Sequence, residues 1–373
     1  MEKALSDMTL EELWELFPIV LTEYNEIWDE WYAKEQKRIL IKYEIIEWVK
    51  KMKNRVIVWR ITQQCNLLCR FCSYSREVER RRDEADGQEI ERVSEVLGDY
   101  KQLTGDHILV SWIGGEPFLR KDIFEMSKNL NSRGIEISAT TNGIPLDENM
   151  LSDIDQYFSE IVFSLDGFEE HSDTVRQFDG YFQTVTQKIR LLDQMRNASK
   201  SGLKIKVNTI LMRQNISQFE KFCEYLAELG VDEVTFNRLG GYDRPEFFDD
   251  NRLLYSQSKK LADELPEIKK RFADKRLIIH GSKKYMERFL SAARDSKNPI
   301  DECYPGQWFW FINENGYISP CSYTTYEYEF PISDIRSVED IPKVEQYFRD
   351  LRKNSRSDWC DNCFCTQVYD KFE

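Results

Sequence analysis

Val56-Ile57-Val58-Trp59-Arg60-Ile61-Thr62-Gln63-Gln64-Cys65-Asn66-Leu67-Leu68-Cys69-Arg70-Phe71-Cys72 joins a β-branched run to three cysteines spaced C-x3-C-x2-C. The run Val56 to Ile61 reads as a strand, because branched side chains suit a pleated, half-buried surface. The loop after it is short enough to wrap three thiolates around one soft metal centre. It supplies three ligands where a closed zinc site or iron–sulfur cluster has four. A cluster held by three cysteines keeps one iron open, and an open coordination position is where chemistry happens. Spacing alone leaves two alternatives, a zinc knuckle lacking its fourth ligand or three unrelated buried thiols.

The whole chain narrows these choices. Its 373 residues allow two to three domains. The formal charge of −14, from 52 Lys and Arg against 66 Asp and Glu, argues against phosphate-backbone binding and so against a nucleic-acid partner. The basic run Arg80-Arg81-Arg82 is flanked by Glu77, Glu79, Asp83 and Glu84 and reads as a solvated loop. No stretch approaches the roughly 20 apolar residues that span a bilayer. The N-terminus has no signal-peptide pattern, so the expected location is the cytoplasm, with no membrane partner. In such a compartment cysteines point to metal rather than to disulfides. Eight of the nine fall in 65–72 and 303–365, with Cys223 alone between, which implies two metal centres.

Residues 1–54 show apolar positions at helical spacing and read as an N-terminal helical extension. From 55 to 240 strand-like runs (56–61, 107–113, 135–141, 160–166, 204–211 and 231–237) alternate with amphipathic stretches near 88–102, 121–132, 147–156, 181–197 and 216–229. Alternation of this kind builds right-handed βαβ units around a parallel sheet, an α/β fold. Residues 241–300 read as a helical connector. Residues 301–373 form a cysteine-bearing module too small to bury much core, which leans on its metal.

Polar residues gather where the strands end, the place where a parallel barrel puts its chemistry. Strand two closes on Gly114-Gly115-Glu116-Pro117, and strand three on Ser138-Ala139-Thr140-Thr141-Asn142-Gly143. Strand four closes on Ser164-Leu165-Asp166-Gly167, followed by His171, Asp173 and Arg176. Strand five carries Asn208 and strand six ends Phe236-Asn237-Arg238. Glycines allow close backbone approach to a ligand, and Glu116 can accept a hydrogen bond from an ammonium group.

The cysteine triplet, with Phe71 just before its last member, and the complete Gly-Gly-Glu-Pro motif resemble the radical S-adenosylmethionine (SAM) enzymes. The resemblance covers roughly 55–365 and implies a partial (β/α)6 barrel. It implies a [4Fe-4S] cluster on Cys65, Cys69 and Cys72, whose open iron takes the amino and carboxylate groups of SAM. Gly114, Gly115, Glu116 and Pro117 would meet the amino group. The Thr141-Asn142-Gly143 tail resembles the family's ribose and methionine-carboxylate contacts, and Ser138, Thr140, Ser164, Asp166, Asn208 and Arg238 complete the polar set. The implied chemistry is reductive cleavage of SAM to a 5′-deoxyadenosyl radical, which takes a hydrogen atom from a substrate carbon. The electron comes from a donor such as flavodoxin or ferredoxin.

Cys303 is followed by Gly316 and Cys321, with Asn315-Gly316 at the turn of a hairpin, and then by Cys360, Cys363 and Cys365. This resembles the SPASM/twitch extension of the same family. It implies one auxiliary [4Fe-4S] cluster on Cys303, Cys321, Cys360 and Cys363, with Cys365 an alternate ligand or a spare; four thiolates would suit zinc equally well. Cys223 reads as a small core residue, or as the hydrogen-atom donor that a radical epimerase requires. The Ser-Leu-Asp-Gly run and the cysteine-rich tail resemble maturases of ribosomally made peptides. A dehydrogenase or epimerase of a small polar metabolite, such as an aminocyclitol or sugar, is the second reading. A non-enzymatic zinc-binding protein is the third.

Overall fold

The computed structural model describes residues 9, 11–12, 53–72, 84–240, 244–300, 303, 306, 308–363, 365–369 and 371. Apart from 9, 11, 12, 53 and 54, the helices expected over 1–54 lie outside the described residues, as does the Arg80–Arg82 loop.

β1 (Asn54–Thr62), β2 (His107–Gly114), β3 (Glu136–Thr141), β4 (Glu160–Ser164), β5 (Lys204–Leu211) and β6 (Glu233–Arg238) pair in sequence order, each parallel to the next. Between them run α1 (Gly87–Thr104), α2 (Ile123–Ser132), α3 (Glu148–Tyr157), α4 (Glu169–Arg176), α5 (Tyr181–Ser199) and α6 (Phe219–Glu228). Successive neighbours joined by right-handed crossovers keep all these helices on one face, the winding of a barrel rather than of a two-sided sheet.

Side chains alternate along each strand, so the two faces differ. Trp59, Val110, Trp112, Ile137, Ala139, Ile161, Phe163, Ile205, Val207 and Val234 are fully buried against the helices. The Trp112 indole donates to Ser127 Oγ on α2 at 2.9 Å, which fixes that face as the helix side. The opposite face carries Ser138, Thr140, Ser164, Asn208 and Thr235, the reverse of an apolar core.

The segment read as a connector also extends the sheet. After α7 (Pro245–Asn251) and α8 (Tyr255–Ala273), β7 (Ile278–Ile279) pairs parallel with β6, and α9 (Lys283–Ala293) follows. Two isoleucines carry too little pattern to announce a strand. At the other edge β8 (Phe309–Ile312) pairs parallel with β1, and β9 (Tyr317–Ser319) and β10 (Phe330–Pro331) continue antiparallel. The hairpin turn holds Gly316 at φ +80°, where a side chain would be strained, and its amide donates to Asn313 O at 3.0 Å. The cysteine-bearing module is thus part of the same ten-stranded sheet. Its helix α10 (Asp340–Asn354) is tied to β1 by Arg55, which binds Asp106 at 2.8 Å and Glu345 at 2.6 Å in a buried network. Among the described residues no helix is long and apolar enough to cross a membrane.

Candidate functional site

The pairing of β1 with β2 slips between Arg60 and Thr62, leaving Ile61 as a bulge that turns the chain into the cysteine loop. The end of β2 follows the loop: Gly115 N donates to Thr62 O at 2.9 Å and Glu116 N to Gln64 O at 2.7 Å. A Cβ on Gly114 would stand 2.5 Å from Thr62 O, and one on Gly115 would stand 2.2 Å from Gln64 O. The neighbour that demands these glycines is the backbone leading into Cys65.

Within the loop Leu67 N lies 3.5 Å from Cys65 Sγ, and Cys72 N donates to Cys69 O at 3.1 Å. Helix α4 braces it from outside, since Arg70 N donates to Val175 O at 2.9 Å. The next residue, Arg176, lies over the Phe71 ring at 5.1 Å and grips Asp166 at 2.7 and 2.8 Å. Asp166 is fully buried and also accepts from Ile210 N at 2.8 Å. Its carboxylate therefore anchors Arg176 and β5 instead of standing open on the polar face. Burial raises the Cys65 and Cys69 thiols, Cys69 to about 12 even with Arg176 opposing. Metal binding must displace those protons, because the thiolate is the ligand.

Glu116 is fully buried as well. Its carboxylate accepts from Thr141 Oγ1 at 2.8 Å, Asn142 N at 2.7 Å and Phe118 N at 3.2 Å, tying the end of β3 to that of β2. Asn142 then donates from Nδ2 to Asn66 Oδ1 at 2.8 Å, with Cys65 Sγ 3.8 Å away. Burial lifts Glu116 to about 7 against the opposing hydrogen bonds. An acid raised in the folded state contributes stability below its unfolded pKa and loses it as pH rises through the folded value. Glu116→Gln is accordingly expected to flatten the fall in stability between about pH 4.5 and 7. Urea unfolding of both proteins across that range checks it; parallel pH profiles would refute it.

Further along the polar face, Ser138 Oγ is buried without a hydrogen-bond partner. Ser164 sits in register with Asn208, and Asn208 with Thr235. Asn208 Oδ1 accepts from Thr235 Oγ1 at 2.9 Å and Asn237 Nδ2 at 3.1 Å. Arg238, at the end of β6, lies near enough to Tyr285 and Tyr323 to oppose the burial that raises their hydroxyls, so it faces the cysteine module.

In that module all five cysteines, 303, 321, 360, 363 and 365, line one cavity with Tyr323, Tyr328, Arg352 and Trp359. Cys303 Sγ accepts from Arg352 Nη1 at 2.7 Å, and Cys321 lies beside Thr324 Oγ1 at 3.4 Å. A hydrogen bond with Cys365 is the largest cause holding Cys321 down at about 6.

A family profile described as the radical SAM superfamily matches residues 59–244, the span from β1 through β6. The chain belongs to the radical SAM superfamily. Fe-coproporphyrin III synthase of Methanosarcina barkeri is 25% identical over 227 residues, 60% of this chain and 54% of that protein. This chain thus spans about half the length of that relative. The mycofactocin maturase MftC of Mycolicibacterium smegmatis is 23% identical over 82% of this chain and 74% of its own. Among solved structures, Streptococcus suis SuiB bound to S-adenosylmethionine superposes with a TM-score of 0.60 at 14% identity, over 95% of this chain and 83% of that one. SuiB bound to precursor peptide SuiA gives 0.59 at 14% identity, over 95% and 84%. At these identities the structures establish the fold.

The residues present fit the radical SAM cofactors. Three thiols share one loop, and the buried Ser138 hydroxyl lies open to a partner on the face beyond it. Among the described residues no three His, Cys, Asp or Glu side chains are placed to share a single ion, so the fit rests on donor chemistry and not on a preformed coordination sphere. Cys223 is not brought to this site. It is fully buried on α6 with Phe219, Phe222 and Leu226, and burial raises its thiol. That location matches a core residue and leaves the hydrogen-donor role without geometric support. Arg176 braces the loop through Phe71 and Asp166, and its position after the Ser-Leu-Asp-Gly run is the sequence signal for that role.

Proposed function

We propose that this radical SAM enzyme matures a ribosomally made peptide, using one auxiliary [4Fe-4S] cluster besides the cluster at Cys65, Cys69 and Cys72. The observation that carries the proposal is the five-thiol cavity built onto the same sheet as the SAM-type strand ends. Likeness to SuiB, solved with a precursor peptide, over 95% of the chain and to the maturase MftC over 82% supports a peptide substrate. With cluster and SAM bound, the site supplies an oxidant able to take a hydrogen atom from an unactivated C–H bond.

The chain's own residues bind and orient. Asn142 steers Cys65 through its amide, and Arg176 stacks on Phe71 and offsets thiolate charge near Cys69. Ser138, Thr140, Ser164 and Asn208 offer hydrogen bonds to a polar cosubstrate. Cys303, Cys321, Cys360 and Cys363 hold the auxiliary cluster, with Cys365 beside Cys321 as an alternate. A flavodoxin or ferredoxin supplies the electron.

The test is anaerobic reconstitution followed by assay of deuterated candidate substrates. Iron and sulfide for two clusters, with deuterium passing from a short peptide into 5′-deoxyadenosine, is the expected result. Stoichiometric zinc without sulfide would defeat the enzyme reading. Deuterium arriving only from a labelled sugar or aminocyclitol would keep the chemistry and replace the substrate.

A further inference from the structure

Helix α10 meets both the barrel and the five-thiol cavity with one face. Ile341, Val344 and Phe348 form its buried stripe, and Glu345 and Arg352 stand at helical spacing on the same side. Glu345 reaches Arg55 on β1 at 2.6 Å, while Arg352 lines the cavity. The segment before β8 is seated on this helix. Gly306, at φ +94°, lies so close that a Cβ there would stand 3.3 Å from Phe348 Cβ. Three residues earlier, Cys303 turns both its acceptors to the helix end. Arg352 Nη1 donates to Cys303 O at 2.8 Å and to Cys303 Sγ at 2.7 Å. The same side chain also hydrogen-bonds Cys360, which comes from the other end of the module. The next residue, Lys353, behaves differently, with a side chain 74% exposed beside Asp350.

We propose that Arg352 is a positioning residue of the auxiliary cluster, which gathers the Cys303 and Cys360 sulfurs and raises the cluster's reduction potential. The inference rests on the reading of the five-thiol cavity as a [4Fe-4S] site. A guanidinium keeps its charge at every working pH and carries five donors in a fixed fork. It can therefore serve two sulfurs at once, where a lysine ammonium is a compact point charge. Reduction adds negative charge to a cluster. Hydrogen bonds to its sulfurs, from a group that is itself a cation, favour the reduced form over the oxidised one. In the sequence Arg352-Lys353 reads as the basic last turn that complements a helix dipole. That reading describes Lys353 and conceals Arg352.

The experiment uses the full chain, reconstituted anaerobically, in a Cys65→Ala/Cys69→Ala/Cys72→Ala background that leaves only the auxiliary site to fill. An EPR-monitored redox titration compares that protein with the same chain carrying Arg352→Met, Arg352→Lys or Lys353→Met. Arg352→Met is expected to lower the midpoint by about 59 mV or more, an about tenfold loss in the ratio of reduced to oxidised cluster. Arg352→Lys keeps the charge without the fork and should fall between the two. Lys353→Met removes an exposed neighbouring charge and should leave the midpoint where it was. Pulsed EPR of the reduced cluster, with heavy nitrogen in the arginine side chains, adds a reading that needs no Arg352 variant. A guanidinium nitrogen coupled to the cluster is the expected signal, lost in Arg352→Lys. A full cluster whose midpoint ignores Arg352→Met, or moves as much in Lys353→Met, overturns the inference. If Arg352→Met takes up no cluster, the nitrogen coupling decides, and its absence overturns the inference equally. Zinc without sulfide in the unsubstituted Arg352 protein defeats the cluster reading itself, and the inference with it.

Discussion

Gly115→Ala is expected to destabilise the protein by about 3 kcal/mol or more and to leave the Cys65, Cys69 and Cys72 loop without iron, because the added methyl overlaps backbone and no rotamer can relieve it. The Cβ would lie 2.2 Å from Gln64 O and 2.6 Å from Gln63 O. To make room, either the strand end or the cysteine loop must move. Moving the strand end breaks the Gly115 N to Thr62 O and Glu116 N to Gln64 O bonds, and with them the hold of Glu116 on Thr141 and Asn142. Moving the loop displaces Cys65, the next residue after Gln64. Either route spoils the geometry of three thiols that must reach one cluster. Gly202→Ala is the control, since nothing lies within 4 Å of a Cβ there. Iron per chain after reconstitution, alongside thermal unfolding, reads both effects. A Gly115→Ala protein with wild-type iron and stability would show that the loop tolerates displacement.

The strands β1 to β6 were legible because each is a β-branched or aromatic run bounded by turn residues, and their spacing left room for helices. Gly-Gly-Glu-Pro was legible as a motif, but the tight neighbour of its glycines was not, since that is a contact across β1 and β2. The same holds for β8. Its Trp-Phe-Trp-Phe-Ile run reads as one strand of a hairpin, while its parallel partner β1 lies some 250 residues earlier (Phe309 against Val56). Helix α4 is not legible because Glu169 to Arg176 has little apolar periodicity, with only Ser172, Val175 and Arg176 buried. Charged residues are the least legible: Arg55, Arg60 and Glu314 are all buried, because each finds its partner far away in the chain.

Glu314 carries the second large effect. It lies at the hairpin turn between β8 and β9, 1% exposed, with Oε2 2.6 Å from Nε of Arg60, itself 2% exposed. Its other oxygen accepts from Gln63 Nε2, and its backbone oxygen accepts from Ala85 N at 2.6 Å. One carboxylate therefore fastens the cysteine-rich module to β1 and to the residue two positions before Cys65. Glu314→Ala leaves the Arg60 guanidinium buried without its carboxylate, which costs about 3–5 kcal/mol. Arg60→Met/Glu314→Leu removes both charges, and apolar replacement of a buried pair is often neutral. The double variant should thus recover most of the stability. It cannot restore the bond to Gln63, so its iron content at the N-terminal loop should stay below wild type. Urea unfolding and iron assay of the two variants separate the two roles. A loss under about 1 kcal/mol in Glu314→Ala would mean that water reaches the pair and screens it as it does at a surface. Full iron in the double variant would mean that the loop holds its register without the module.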